Sequence, residues 1–233
     1  MTITLVFLSL LMGVVIWWLF KQSVNVQPWL AQGSIQDVHA GALDRPAEKT
    51  ALWIFLAVVT SFFALFISAY AMRMHLGDWA PLPKPKLLWW NTALLAVTSA
   101  AMQWAVVAAR RGASDGVRTG LITGGVLTFG FLAGQLAVWR QLNASGYFLA
   151  TNPANAFFYL LTALHGVHLL GGLVAWGRTA NKVWRGIEVA KVRLSVELCA
   201  IYWHFLLLLW FALFTLLTPW VGEFAAICRE LLI

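Results

Sequence analysis

Two histidines three residues apart, His165 and His168, stand in the stretch FFYLLTALHGVHLLGG (157–172), which carries no charged side chain. That spacing puts both on one face of a helix, and Gly172, seven residues after His165, continues the same face. Glu197 and His204, also seven apart, share a face across two turns of a later segment. Such side chains could do four kinds of chemistry. Histidines opposed across a ring-sized gap ligate haem b, and only His204 is placed to oppose the other two. His165, His168, Glu197 and His204 are acceptable ligand types for zinc, and an imidazole of near-neutral pKa can serve as a pH switch. The fourth reading is an interhelical hydrogen-bond cluster of His165, His168, Glu197, Tyr202 and His204, with Gln135 contributed by an earlier segment. Nothing in the spacing demands a metal or a ring-sized gap. The residues are therefore read as structural, and none is assigned a catalytic, cofactor-binding or metal-binding role.

The elements that must position them are membrane helices. Of 233 residues 61% are hydrophobic and only 11% charged, with a mean hydropathy of +0.78, far from the profile of a soluble domain. Six uncharged runs, at 2–20, 50–72, 87–109, 119–139, 154–177 and 198–218, match the roughly 20 residues needed to cross a hydrocarbon core of about 30 Å. Single spans in lipid satisfy their own backbone, so all six are expected as helices of an all-α integral membrane protein. The first run lacks a basic leader and a small-residue cleavage site, and ends in Trp17, Trp18, Leu19, Phe20 and Lys21. It reads as a retained span rather than a signal peptide. The organisation expected is an N-terminal helix at 1–21, a cytoplasmic loop at 22–48, a five-helix bundle at 49–220 and a tail at 221–233.

Loop charge sets the orientation. Placing both termini outside puts eleven Lys and Arg on the inner side, among them Arg110, Arg111, Arg118, Arg178, Lys182, Arg185, Lys191 and Arg193, and five on the outer; the bias favours this arrangement. The net charge of +7 is thereby a membrane-topology signal, and no nucleic-acid partner is implied. Asn152 and Pro153 are expected to cap and start the fifth span, and Pro219 to end the sixth. Trp17, Trp18, Trp79, Trp89, Trp90, Trp139, Trp176 and Trp220 cluster at span ends as interfacial belts do. Cys199 and Cys228 are too few and too far apart for a disulfide framework.

The acids exclude a class. Asp37, Asp44, Glu48, Asp78, Asp115, Glu188, Glu223 and Glu230 lie in loops or tails, and Glu197 is expected in the first turn of the last span, where the helix dipole favours a carboxylate. No Lys or Arg sits at mid-membrane. A proton-coupled pump or carrier would have to work through histidine alone. What remains at depth is amide, hydroxyl and small residues: Gln103, Gln135, Thr98, Ser99, Thr128 and Thr162, with Gly120 and Gly124, then Gly130 and Gly134, at four-residue spacing. Such positions let helices approach and hydrogen-bond. Gly166, Gly171 and Gly172 are expected to do the same around the histidines.

FFYLLTALHGVHLLGG followed by VELCAIYWHFLLLLWFALFTLL resembles subunit III of the haem-copper cytochrome c oxidases. That family carries a Thr-Gly-x-His-Gly-x-His-like signature on its penultimate helix, matched here by Thr162, His165, Gly166 and His168. Its last helix has an acid before a Tyr-Trp-His-Phe run, matched by Glu197, Tyr202, Trp203, His204 and Phe205. LWIFLAVVTSFFALFISAY, NTALLAVTSAAMQWA, GGVLTFGFLAGQ and GYFLATNP resemble the remaining helices in order, so the likeness runs from about residue 48 to 218 over five spans. Val59, Val138 and Leu207 stand where the family usually has acids, so no carboxylate role is carried over to them. The resemblance implies a subunit III-like bundle of five helices plus one extra N-terminal helix. The best-known members have two N-terminal helices, set apart by a cleft that holds phospholipid.

The function implied is that of a non-catalytic subunit of a terminal oxidase of aerobic respiration in a bacterial inner membrane. The complex would pass electrons from cytochrome c to oxygen, with proton translocation. Haem and copper are expected in the partner subunits, none in this chain, with bound phospholipid as a further ligand. Subunit I is the direct partner expected, with subunit II and small subunits beside it. An accessory protein of nitric oxide reduction, which shares the architecture, is the alternative within the resemblance; a membrane b-type cytochrome or a transporter are alternatives of other classes.

Overall fold

The computed structural model describes residues 47–80, 82–83 and 86–217. The expected first helix, nearly all of the 22–48 loop, Pro219 and the 221–233 tail lie outside these residues. Five helices are described: α1 (Ala47–Arg73), α2 (Leu87–Arg110), α3 (Ser114–Ala144), α4 (Pro153–Trp184) and α5 (Val189–Leu217). All five are long and apolar enough to cross a membrane. The shortest has 24 residues, or roughly 36 Å at 1.5 Å per residue, against a hydrocarbon thickness of about 30 Å.

Three helices outrun their apolar windows. α3 begins five residues before the expected 119 and α5 nine before 198, while α4 continues seven beyond 177. The added turns carry Asp115, Arg118, Arg178, Lys182, Lys191 and Arg193, charged residues that continue a helix readily once it has left the hydrocarbon. Glu197 is accordingly in the third turn of α5, not the first. The dipole argument made for it does not apply, because that effect fades within the first turn.

The helix ends follow from local chemistry. The Asn152 side chain accepts from the Ala154 N–H at 2.9 Å, with Pro153 as the first helical residue, as the sequence indicates. α2, α3 and α4 each stop at a glycine with positive φ, Gly112, Gly146 and Gly186. In each, the residue after the glycine donates back to the carbonyl five residues earlier: Ala113 to Ala108, Tyr147 to Leu142 and Ile187 to Lys182. This paired closure satisfies the last carbonyls and requires a left-handed residue, which glycine adopts without a Cβ penalty.

The residues fall into two units, up to Ala71 and from Met72 onward. The first is represented by α1, whose buried positions Leu56, Val59 and Phe63 recur at helical spacing. In the second, α2, α3, α4 and α5 neighbour one another in chain order and α5 closes back on α2, giving a ring of four helices. α2 and α3 approach most closely. A Cβ on Gly120 would lie 2.8 Å from the Ala105 Cβ and 2.9 Å from its backbone nitrogen, and one on Gly116 2.8 Å from the Ala108 Cβ. The core is aromatic as well as aliphatic: Trp203, Trp210, Phe131, Leu95, Met102, Leu161 and Leu206 are all fully buried.

Candidate functional site

Most of the polar side chains at membrane depth bond across helix boundaries within this ring, and α5 reaches its neighbours α2 and α4 as well as α3 across the ring. His204 turns to α2, where Nε2 meets Gln103 Oε1 at 3.0 Å and Nδ1 pairs with the Ser99 hydroxyl. Ser99 and Gln103 are one turn apart, so a single ring bridges two positions of one face. With Nε2–H donating to the amide oxygen and Nδ1 accepting from the hydroxyl, a neutral imidazole is satisfied at both nitrogens. His165, fully buried on α4, places Nε2 3.1 Å from the Leu206 carbonyl of α5. Tyr202 donates from α5 to the His168 carbonyl at 2.9 Å, while His168 Nδ1 lies 2.7 Å from the Leu164 carbonyl of its own helix.

The six residues expected as one cluster are thus separated into several ties. His204 and Glu197 do share a face, but that face meets α2 and not α4. Glu197 Oε1 accepts from Arg110 Nε of α2 and Arg193 Nε of α5, each at 3.3 Å. Gln135 pairs with Asn91 of α2 at a long 3.4 Å. The fourfold set weighed for zinc is therefore not assembled, and among the described residues no three His, Cys, Asp or Glu side chains come together as a ligand group. The physical reason is helical phase: residues two and seven positions apart on α5 point 200° and 700° around the axis, so Tyr202 and His204 cannot face one neighbour.

Indole ties were not foreseen. Trp203 of α5 donates to Thr128 of α3 at 3.0 Å, Trp210 of α5 to Thr92 of α2 at 2.9 Å, Trp139 of α3 to Thr162 of α4 at 3.1 Å, and Trp176 of α4 to the Leu121 carbonyl of α3 at 3.0 Å. Each threonine hydroxyl gives its own proton to the carbonyl four residues back, Gly124, Leu88 and Phe158 respectively. The oxygen is then left to accept from the indole. Trp139 and Trp176, read from sequence as belt residues, are half-buried in these bonds, whereas Trp89 and Trp90 are exposed. The available signal was threonine at mid-span in the same chain as tryptophans distant from span ends.

The expected packing glycines divide. A Cβ on Gly134 would fall 2.0 Å from Asn91 Oδ1, and one on Gly172 2.6 Å from the Tyr202 ring, so both sit at helix contacts. Gly166 meets only Leu132, at 3.9 Å, and added carbons on Gly130 and Gly171 meet nothing within 4 Å among the described residues. Gly130 and Gly171 are exposed and are not contact positions of this ring. Gly171 lies 100° around the helix from Gly172, enough to leave the interface. Gly116 and Gly125 were missed; the latter faces the Trp176 ring.

Three buried side-chain nitrogens have no partner among the described residues: Arg118 Nε, Gln135 Nε2 and His165 Nδ1. His165 stacks between Phe131, with centroids 5.7 Å apart in a T-shape, and Trp210 at 5.0 Å. Of the three positions where the resemblance leads one to expect acids, Val59 and Val138 are buried at 4% and 0% exposure, whereas Leu207 is half-buried.

What the fold and these ties define is a multi-pass membrane protein whose buried polar groups hold helices to one another. The family model for cytochrome c oxidase subunit III matches residues 2–222. It takes in the first apolar run, which the motif resemblance had left unmatched. Among curated proteins the chain is 29% identical over 184 residues to a probable cytochrome c oxidase subunit 3 of Mycobacterium tuberculosis, covering 76% of this chain and 90% of that one. It is 30% identical over 191 residues to the probable subunit 3 of Nocardia farcinica, covering 77% and 90%. A cytochrome bo(3) ubiquinol oxidase subunit 3 of Pseudomonas aeruginosa is 25% identical over 168 residues, covering 70% and 80%. The chain belongs to the cytochrome c oxidase subunit III family, and so is one component of a multi-subunit oxidase complex.

Proposed function

We propose that this chain is the non-catalytic membrane subunit of a haem-copper terminal oxidase, bracing the catalytic subunit and holding lipid. Haem and copper belong, on this reading, to the partner subunits. Subunit I is the direct neighbour, with subunit II beside it, in a bacterial inner membrane with both termini on the outer side. The observation that carries the proposal is the use made of the imidazoles. His165 and His204 bond to Leu206, Ser99 and Gln103, which commits the ring nitrogens engaged there to helix-to-helix hydrogen bonds. That suits a brace, whose work is the burial of helix faces. The electron donor is proposed as cytochrome c on the strength of the names of the Mycobacterium tuberculosis and Nocardia farcinica relatives.

The test is purification of the full chain from its native membrane under mild detergent. Co-purification of a haem-copper subunit I and a copper-binding subunit II is expected, with oxygen consumed on addition of reduced cytochrome c. A nitric oxide reductase pair in their place overturns the assignment, as does a Soret band from the chain freed of companions. Activity with quinol alone replaces the donor and leaves the brace intact.

A further inference from the structure

At the Arg110 end of α2 one side of the helix is open. Ala100, Trp104, Val107 and Arg111 follow one another along it at three- and four-residue steps, and Gly116 at the start of α3 forms the facing wall of a groove of about 500 Å³. Small residues make the space: Gly116 lets α3 rest directly on Ala108. Trp104 is 67% exposed. Its indole lies over Gly116, where an added Cβ would come within 3.8 Å of Nε1.

Two donors toward the mouth of the groove are unspent, while Gln103, which also lines it, is held through its Oε1 by His204. Arg110 is paired with Glu197, whereas Arg111 has no acidic partner among the described residues, and Trp104 Nε1 has no acceptor among them. Asp115, in the first turn of α3, is ion-paired with neither arginine. From the helix end inward the groove therefore offers a cation, then an indole N–H two turns deeper at roughly 10 Å along the axis, then an apolar wall. That order is the order of a glycerophospholipid: phosphate, ester carbonyl, acyl chain. Guanidinium recognises phosphate through charge-assisted bonds, and an indole at the membrane surface presents an apolar body with one donor.

We propose that the α2–α3 groove binds one phospholipid, its phosphate on Arg111, its glycerol ester at Trp104 Nε1 and an acyl chain along Ala100. The site rests on the lipid-holding part of the proposed function and gives it a location. It is built wholly from the second and third described helices, and so differs from a cleft beside N-terminal helices.

The experiment is native mass spectrometry of the full-length chain extracted from membranes and washed in delipidating detergent. One phospholipid is expected to stay on the wild type. Arg111→Gln should lower its occupancy about tenfold, the scale of one lost charge-assisted hydrogen bond, and Arg111→Lys should restore much of it. Ala100→Trp fills the acyl path without touching the cation and should lower occupancy as well, which keeps the test decisive if Arg111→Gln fails to fold. Lipid retained equally by Arg111→Gln and Ala100→Trp places it elsewhere, overturning this site while leaving lipid holding intact. Binding of inorganic phosphate with no retained lipid, or a photoreactive residue at Val107 that labels a protein chain rather than lipid, also overturns it. None of these readouts depends on which oxidase the chain joins.

Discussion

Exchanging His204 for Phe removes both hydrogen bonds that one ring makes from α5 to α2 and leaves Ser99 and Gln103 to find other partners. At about 0.6–1.7 kcal/mol for each interhelical bond in lipid, the expected loss is about 1–3 kcal/mol, read from the shift in the unfolding midpoint of the purified chain in a denaturing detergent titration. Gln135→Leu is the contrasting case. The Gln135 amide has only the 3.4 Å bond to Asn91 and carries a buried nitrogen without a partner, so its removal sheds a desolvated donor along with a weak bond. A cost of about 1 kcal/mol or less is expected in the same titration; equal losses at the two positions would show that buried polarity, not bonding, sets the effect. At this scale the sequence marks which residues are polar at depth. It is silent on partners, because His204 and Tyr202 lie two positions apart and face different helices.

Between elements, close approach decides tolerance. A Cβ on Gly120 meets backbone, at 2.9 Å from the Ala105 nitrogen and 3.0 Å from the Ala101 oxygen, and backbone cannot step aside without separating α2 from α3. Gly120→Ala is expected to destabilise by about 1–3 kcal/mol, as overpacking does. Gly130→Ala should be neutral or stabilising by up to about 1 kcal/mol, since it gains helix propensity in open space. Thermal melts of the two variants distinguish these outcomes, and identical shifts would refute the packing asymmetry. The loop after α1 is held by another kind of contact. Arg73 donates to Asp78 at 2.7 Å and holds that carboxyl below the usual carboxylate range, mainly through the hydrogen bond. A lowered carboxylate pKa stabilises above the ordinary value of about 3.9 and loses that contribution as pH falls through the lowered value. Hydrogen exchange at 74–80 should therefore not reflect any opening of this pair between pH 5 and 8, with release only in stronger acid. A protection change centred between pH 5 and 8 would refute this account of the pair. The sequence supplies the glycines and the charges; it does not say that Gly130, on nearly the same face as Gly134, has no neighbour within 4 Å among the described residues.

For the molecule as a whole, Val59 and Val138, which by the resemblance stand where acids are expected, bear on what the chain is proposed to contribute to an oxidase. Val59 and Val138 are buried and cannot titrate, so Val59→Ala and Val138→Ala are expected to leave the pH profile of oxygen consumption by the assembled complex unchanged, with at most a loss of stability from the cavities. A shifted profile would mean that these positions shape a proton path without carrying protons. The sequence by itself determined the number and place of the described spans, to within the charged turns that extend them. It did so because hydrocarbon thickness fixes a length and an isolated backbone in lipid must bond to itself. Family membership was likewise readable from motifs in register. Only the tertiary structure decided that α5 bonds to all three other helices of the ring, that indoles and threonines tie the ring, and that the expected polar cluster is several separate bonds. The reason is that lipid is as apolar as a helix interior: when leucine faces a neighbour and leucine faces the bilayer, hydropathy cannot tell the two apart, and packing shape makes the choice.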